Sequence, residues 1–328
     1  IYTGEDTLSL HDALPIFTRN DECVACHADV ADEWQRSLHR EAYTSREFQH
    51  ALRSEPLPVC RGCHAPEADP RRPEPALAAL GVACVSCHVP VGDEVLSARE
   101  HDAPHTAPHP VRRDLAFAGP GACAGCHEFT FSDPRPVPEY MQTTIREHAA
   151  SPLRDRSCAD CHMPRAGDGH RTHGFAASRD EDWMRSVVAV RAVRPAADRV
   201  EVTLDLLEDR VGHAFPTGDL LRRLAISVEV ARAGPRRPQR RYLARHWATT
   251  RFGDHSPVRS EVSDDRLGVG EDPRTLVFEL TSADAAMPVR WRVDYERVES
   301  ILGPSEHGAV VVGHINLGQG SLPPLAQE

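Results

Sequence analysis

Two kinds of hydrophobic spacing divide the chain near Trp183. Beyond it, SVVAVRAV (186–193), RVEVTLDLL (199–207), LAISVEVA (224–231), TLVFEL (275–280) and VRWRVDY (289–295) alternate apolar with polar residues or run through β-branched ones. Turn-rich stretches such as RAGPRRPQ separate them. This spacing predicts half-buried strands and, together, a β-sandwich-like domain over residues 185–328, with a closed barrel as the other way to satisfy the strands. Ahead of Trp183 the chain reads differently. PEADPRRPEP (66–75) and SDPRPVP (132–138) are too rich in proline for regular structure. Helices are predicted over Asp29 to Arg53, where Trp34, Leu38, Ala42 and Phe48 form an apolar stripe, and over Glu139 to Ala150. The fold class expected is α+β, with a loop-rich, mainly helical N-terminal domain (20–184) followed by the β domain.

Composition narrows the chemistry. The chain has 328 residues, a net charge of −11 and 38 basic residues, every one of them arginine. Absent lysine excludes Schiff-base chemistry, lysine general bases and P-loops. The acidic balance and the absent lysine argue against nucleic-acid binding, which relies on clustered cations to release counterions. Apolar runs of about five residues fall well short of the roughly 18 that span a bilayer, so no transmembrane segment is expected. Residues 1–19 are read as a leader outside the fold, non-native or disordered. The stretch TLSLHDALPI resembles translated sequencing-adapter read-through, which implies a truncated gene and gives His11 no functional weight.

The ten cysteines fall into five C-x-x-C pairs: Cys23/Cys26, Cys60/Cys63, Cys84/Cys87, Cys123/Cys126 and Cys158/Cys161. Each pair is followed at once by a histidine: His27, His64, His88, His127 and His162. At the chain's histidine frequency, five such coincidences have odds of roughly one in a million. Two thiols three residues apart on one helical turn can form thioethers with the two vinyl groups of one haem, and the next side chain supplies the proximal iron ligand. The rival is zinc, which would normally combine two C-x-x-C knuckles without a histidine after each. The expected cofactors are therefore five covalently attached c-type haems. First cysteines are separated by 37, 24, 39 and 35 residues. So little protein per haem means that the porphyrins themselves supply much of the buried apolar area.

Fourteen further histidines are available as distal ligands. The runs CVACHADVADEWQRSLH, GVACVSCH with a following HPV, CAGCHEFTF, YMQTT, CADCHMP with HGF, and GHAFPTG resemble multihaem cytochromes c of the cytochrome c-554 type. That broader group resembles pentahaem nitrite reductases and hydroxylamine oxidoreductases in haem packing. The resemblance implies His39, His173 and His213 as distal ligands, and His109 through its HPV element. His170 competes with His173 on the same glycine-rich loop. His101, His105 and His109 lie four apart among prolines that forbid a helix, so an extended loop would carry any ligand there. The fifth distal ligand stays open among His105, placed first, His148, His50 and Met141.

Two functions follow from that ligand supply. With two protein ligands on every iron, the chain passes electrons between a redox donor and a redox acceptor in a respiratory chain. With one distal position open, it becomes a pentahaem reductase of nitrite, hydroxylamine or a sulfur oxyanion. A β domain also allows association with a membrane complex or a filament. Thioether attachment takes place outside the bacterial cytoplasm, so a periplasmic or extracellular location is expected. ARAGPRRPQRRYLAR (231–245) is read as a solvated hairpin loop with the charge to dock an acidic partner. Asp264, Asp265, Glu271 and Asp272 are read as a solvated acidic face rather than a calcium loop.

Overall fold

The computed structural model describes residues 16–90, 92, 94–98, 107–131, 138–231, 237–250, 258–301 and 309–325. The chain separates into two compact units, one formed by residues 1–123 and 157–175, the other by 124–156 and 176–328.

The first unit is built from short helices joined by turns: α1 (Ile16–Cys26), α2 (Ala28–Gln35), α3 (Arg46–Ser54), α4 (Pro58–His64), α5 (Pro75–Ala78), α6 (Cys84–His88) and α9 (Cys158–His162). A small parallel pair, β1 (Val95–Ser97) with β2 (Val111–Arg113), completes it. The single helix expected over 29–53 is instead two helices with a turn between them. Ser45 ends the turn by accepting a hydrogen bond from the Phe48 N–H, which caps a new helix start. The turn is held from outside. The Trp34 indole N–H donates to the Val82 carbonyl at 2.8 Å, and the Val82 N–H donates back to the His39 carbonyl at 2.9 Å. His39 consequently sits in this turn rather than on a helix.

α7 (Gly121–His127) carries the fourth cysteine pair and spans the boundary between the units. The second unit continues with the antiparallel pair β3 (Glu128–Thr130) and β4 (Tyr140–Thr143), then α8 (Thr144–Ala150) and α10 (Glu181–Arg185). The expected helix over 139–150 begins late because Tyr140–Thr143 pairs as a strand before the chain turns helical at Thr144.

The rest of this unit is two antiparallel sheets. One has the order β10 (Arg274–Glu279), β6 (Arg199–Leu206), β5 (Val188–Ala196). The other runs β12 (Ala309–Leu322), β11 (Val289–Ile301), β7 (Arg222–Val230), β8 (Gln239–Thr250), β9 (Val258–Asp264). All five segments read as strands are strands, and β8, β9 and β12 are additional. Val200, Val202, Leu204 and Phe278 from one sheet meet Leu224, Ile226, Val293 and Tyr295 from the other in one buried cluster. The α+β class and its order, helical region first and sheet-rich region second, are as the sequence predicts. Burying each such side chain stabilises the fold by about 1.5–3 kcal/mol. Arg194, itself buried, donates to the carbonyls of Ala197, Ala285, Met287 and Pro323, which pairs these backbone acceptors.

The second unit also holds a buried ion-pair network. The Arg266 guanidinium donates to Glu147 at 2.7 Å, to Asp264 at 2.7 Å and to the Pro216 carbonyl at 3.0 Å. Thr143 and Thr217 hydroxyls donate to the same Glu147 carboxylate at 2.5 and 2.7 Å. Burial pushes the Glu147 carboxyl up, but the Arg266 charge and these hydrogen bonds outweigh it and hold it below its ordinary 4.5. Asp264 and Asp265 are thus committed internally, Asp264 to Arg266 and Asp265 to His246 and the Ala244 N–H. β8 also turns part of the expected basic loop into sheet, with Arg245 buried against Glu261 at 2.5 Å.

Because removing one partner leaves a buried charge uncompensated, Arg266→Leu is expected to cost about 3 kcal/mol near neutral pH. A depressed carboxylate pKa contributes stability above the unfolded value of 4.5, lost as pH falls through the lower folded value. The gap between wild type and variant in urea denaturation should therefore close as pH falls below about 4.5. A gap undiminished at about pH 3 would mean that Arg266 acts by packing alone.

Candidate haem-binding sites

Every C-x-x-C-H run ends a short helix or sits just past its end. The runs lie on α1 with His27 following, and on α4, α6, α7 and α9. Side chains three apart share a helix face, so the two thiols of each pair point the same way and the histidine follows one position on. The helices start for local reasons. Pro58 fits the first turn of α4, and Ser157 and Asp160 bond reciprocally to each other's backbone N–H at the start of α9. All ten cysteines are free of disulfides. Among the described residues no three His, Cys, Asp or Glu side chains converge as an ion cage.

The thiols come together across motifs. Cys23 and Cys84 are hydrogen-bonded, and so are Cys123 and Cys158. Each contact joins the first cysteine of one motif to the first cysteine of another. Donation from Cys84 lowers the Cys23 thiol to about 7, and the Cys84 thiol is raised by the same bond and by burial. Cys158 is likewise lowered to about 7 by its bond with Cys123. Side chains lock the first of these pairings. The Asn20 amide on α1 donates to Glu67 at 2.6 Å, and Glu67 accepts from the Ser86 hydroxyl on α6 at 2.7 Å. Cys60 stands apart, its thiol pushed up by burial and by Glu55.

The imidazoles are oriented by main-chain oxygens. Nδ1 lies 2.7 Å from the Ala42 carbonyl in His64, 2.9 Å from Leu96 in His88, 2.8 Å from Arg171 in His173 and 3.0 Å from Ala214 in His213. A carbonyl oxygen only accepts, so Nδ1 carries the proton and the Nε2 lone pair is left to bind metal. His127 Nδ1 meets the Gln142 side-chain amide at 3.2 Å. Burial lowers the pKa of His88 and of His173 and so favours the neutral rings. Their ring centroids are 6.2 Å apart at an interplanar angle of 29°. With metal–nitrogen bonds of about 2 Å, two imidazoles on opposite sides of one metal have centroids roughly 6 Å apart. The spacing therefore fits a metal between them.

The neighbouring His170 is differently placed. It lies 2.5 Å from Asp168 and 3.1 Å from Glu33, which raise its pKa and favour the imidazolium, a form without a lone pair for iron. Burial acts to raise the Glu33 carboxyl, but the His173 N–H at 2.8 Å and the His170 ring outweigh it and hold the carboxyl low. His39 lies edge-on to Phe175 at 4.2 Å. His109 Nδ1 makes a long contact of 3.4 Å with the Pro110 carbonyl. His101 and His105 lie outside the described residues. His148 on α8 is buried with its ring against Gly212, His50 is exposed, and Met141 is half-buried in β4. His27 and His162 follow their cysteine pairs at the end of α1 and on α9.

Three aromatic partners of these imidazoles are not expected as such from the sequence, where Phe48 reads only as part of an apolar stripe. Phe48 stacks flat on His64 at 3.8 Å and 11°, Phe117 meets His88 edge-on at 5.1 Å, and Phe175 touches both His39 and His173. Only Phe175 had a signal in the sequence, two residues after His173 in HGF. Its backbone φ of +49° is costly for an aromatic residue by about 1–2 kcal/mol.

Residues 22–89 match the profile of the family described as cytochrome c554 and c-prime. The fold resembles the crystal structure of a penta-heme cytochrome c552 from Thermochromatium tepidum, with a TM-score of 0.67 and 19% sequence identity. That likeness covers 92% of this chain and 98% of the other. No curated protein sequence matches. Paired thiols on single helical turns and imidazoles presenting Nε2 accompany these similarities, which together support the class of multihaem c-type cytochromes. Within that class, the segment carrying the first three C-x-x-C-H runs is the part similar to cytochrome c554 and c-prime.

Gly81 holds the His39 turn. It has φ of +69°, and a Cβ there would lie 2.4 Å from the His39 carbonyl oxygen, too close for any side chain. Gly81→Ala is expected to displace the turn and convert one low-spin haem to high-spin in the ferric absorption spectrum, whereas an unchanged spectrum would separate His39 from iron.

Proposed function

We propose that the chain binds five c-type haems, one at each C-x-x-C-H run, and works as an electron-transfer cytochrome between a redox protein donor and a redox protein acceptor. The observation that carries this reading is the meeting of first cysteines, Cys23 with Cys84 and Cys123 with Cys158. Thioether anchors side by side hold two macrocycles as neighbours, which is the arrangement that short-range electron tunnelling needs. When bound, each haem supplies an iron that cycles between ferric and ferrous states.

The protein's own residues attach, orient and shield. Cys23, Cys26, Cys60, Cys63, Cys84, Cys87, Cys123, Cys126, Cys158 and Cys161 form the thioethers. His27, His64, His88, His127 and His162 are the proximal ligands. His39, His109, His173 and His213 are distal ligands, with His105 the first choice for the fifth. His173 pairs with His88, a choice supported by their 6.2 Å spacing and by the carboxylates that claim His170. The Leu96 and Arg171 carbonyls, by taking the Nδ1 protons, strengthen Nε2 as donors and favour ferric iron. The protein acts outside the cytoplasm, where thioethers are made. Among the described residues no helix is long and apolar enough to cross a membrane, so any membrane association rests on other contacts.

Ferric holoprotein examined by electron paramagnetic resonance should show low-spin haem alone, and His213→Ala should convert one haem to high-spin. A high-spin signal of about one haem in the wild type would instead indicate an open distal position and favour a reductase of nitrite, hydroxylamine or a sulfur oxyanion.

A further inference from the structure

Glu67 stands three residues beyond His64 in CRGCHAPE (60–67), so in sequence it belongs to the second C-x-x-C-H run. Its side chain works between two other runs. The carboxylate accepts from the Asn20 amide at 2.6 Å, from the Ser86 hydroxyl at 2.7 Å and from the Ser86 N–H at 3.1 Å. Asn20 is buried on α1 three residues before Cys23, a spacing that puts both side chains on one helix face. Ser86 lies between Cys84 and Cys87 on α6, and its hydroxyl also accepts from the Ala83 N–H at 3.3 Å. The segment that presents Glu67 is fixed in turn. Ala65 and Ala68 on either side of it are buried with Ala78, and Arg61 within the second run donates to the Pro70 carbonyl at 2.9 Å. Glu67 is not the sole tie between α1 and α6, because the Val85 N–H also donates to the Asn20 side-chain oxygen at 3.3 Å. What Glu67 adds to this joint is charge. All three groups bonded to it are donors, the partners that an ionised carboxylate takes.

We propose that Glu67 is an electrostatic tuning residue, one carboxylate that holds down the reduction potentials of the haems on the first and third runs together; the inference rests on the reading of these runs as haem attachment sites. An iron passing from ferric to ferrous takes up one negative charge, and a neighbouring carboxylate opposes that uptake, more strongly where burial keeps water away. Cys23 and Cys84, the anchors of these two haems, meet beside Glu67. The Cys84 bond lowers the Cys23 thiol, while the Cys23 bond and burial raise that of Cys84, yet the Glu67 charge acts upward on both. Glu22 also acts upward on Cys23, but it is exposed, where water and salt screen it. The second run faces a different acid, since after burial it is Glu55 that raises the Cys60 thiol. A charge shared by two neighbouring haems lowers both, so it moves the pair without opening a gap between them.

The test is a potentiometric titration of the holoprotein followed by electron paramagnetic resonance, comparing wild type with Glu67→Gln, Glu67→Ala and Ser86→Ala. Replacing Cys23 and Cys26 by alanine in one variant, and Cys84 and Cys87 in another, identifies the first and third haem signals by deleting them. Both Glu67 variants remove the charge, and alanine serves should the extra donor of glutamine upset folding. Ser86→Ala removes one bond of the joint and leaves the charge in place. The expected result is a rise in the potentials of the first and third haems in both Glu67 variants, with the others unmoved and all of them at wild-type values in Ser86→Ala. Wild-type potentials in the Glu67 variants, or an equal rise in Ser86→Ala, would overturn the tuning role and leave the attachment reading standing. A rise in one haem alone, or spread over every haem, would overturn it as well. If either cysteine variant keeps the full wild-type haem content, the attachment reading fails and the inference fails with it.

Discussion

A carbonyl oxygen that takes the Nδ1 proton of an imidazole decides which nitrogen is left to bind metal and in which direction it points. His64, His88, His173 and His213 are all held this way, by Ala42, Leu96, Arg171 and Ala214. The surrounding architecture serves these four bonds. The turn after α2 places the Ala42 carbonyl, β1 places Leu96, and the glycine-rich loop after α9 places Arg171. The GHAFPTG loop that carries His213 is tied down by Arg266, which bonds the Pro216 carbonyl and Glu147 together. A misplaced carbonyl would leave the tautomer undecided, and burial would then disfavour the ring without preparing it as a ligand.

Charge is distributed to the same end. His88 and His173 are kept neutral by burial, whereas His170, three residues from His173, is surrounded by carboxylates and favours its protonated form. Glu33 separates the two roles, since it accepts from the His170 ring and from the His173 main chain. Two histidines on one loop are thereby given different chemistry by their neighbours rather than by their own sequence context.

The parts of this structure legible in the sequence are those with strict spacing. C-x-x-C-H repeats because two thiols and an imidazole must leave one helical turn together, and RVEVTLDLL reads as a strand because Val200, Val202 and Leu204 alternate into the core. Elements governed by distant partners were not legible. β12 reads poorly as a strand because it carries Gly313, Gly318 and Gly320, the last making room for Trp291, whose indole would meet a Cβ at 2.8 Å. β8 carries arginines that look solvent-facing until Glu261 and the Tyr140 and Met141 carbonyls are brought to Arg245. The break between α2 and α3 depends on Val82 and Gly81, which lie far along the chain. Among candidate ligands, the preference for His173 over His170 came from resemblance, while the physical distinction needs Glu33, more than a hundred residues earlier.

Electron transfer along this chain requires that each of the five C-x-x-C-H runs hold its own covalent haem. A pyridine haemochrome assay on purified holoprotein, set against protein concentration from amino-acid analysis, measures this directly. Five haems per chain are expected from the five motifs, and two or fewer would mean that most of the runs hold no haem.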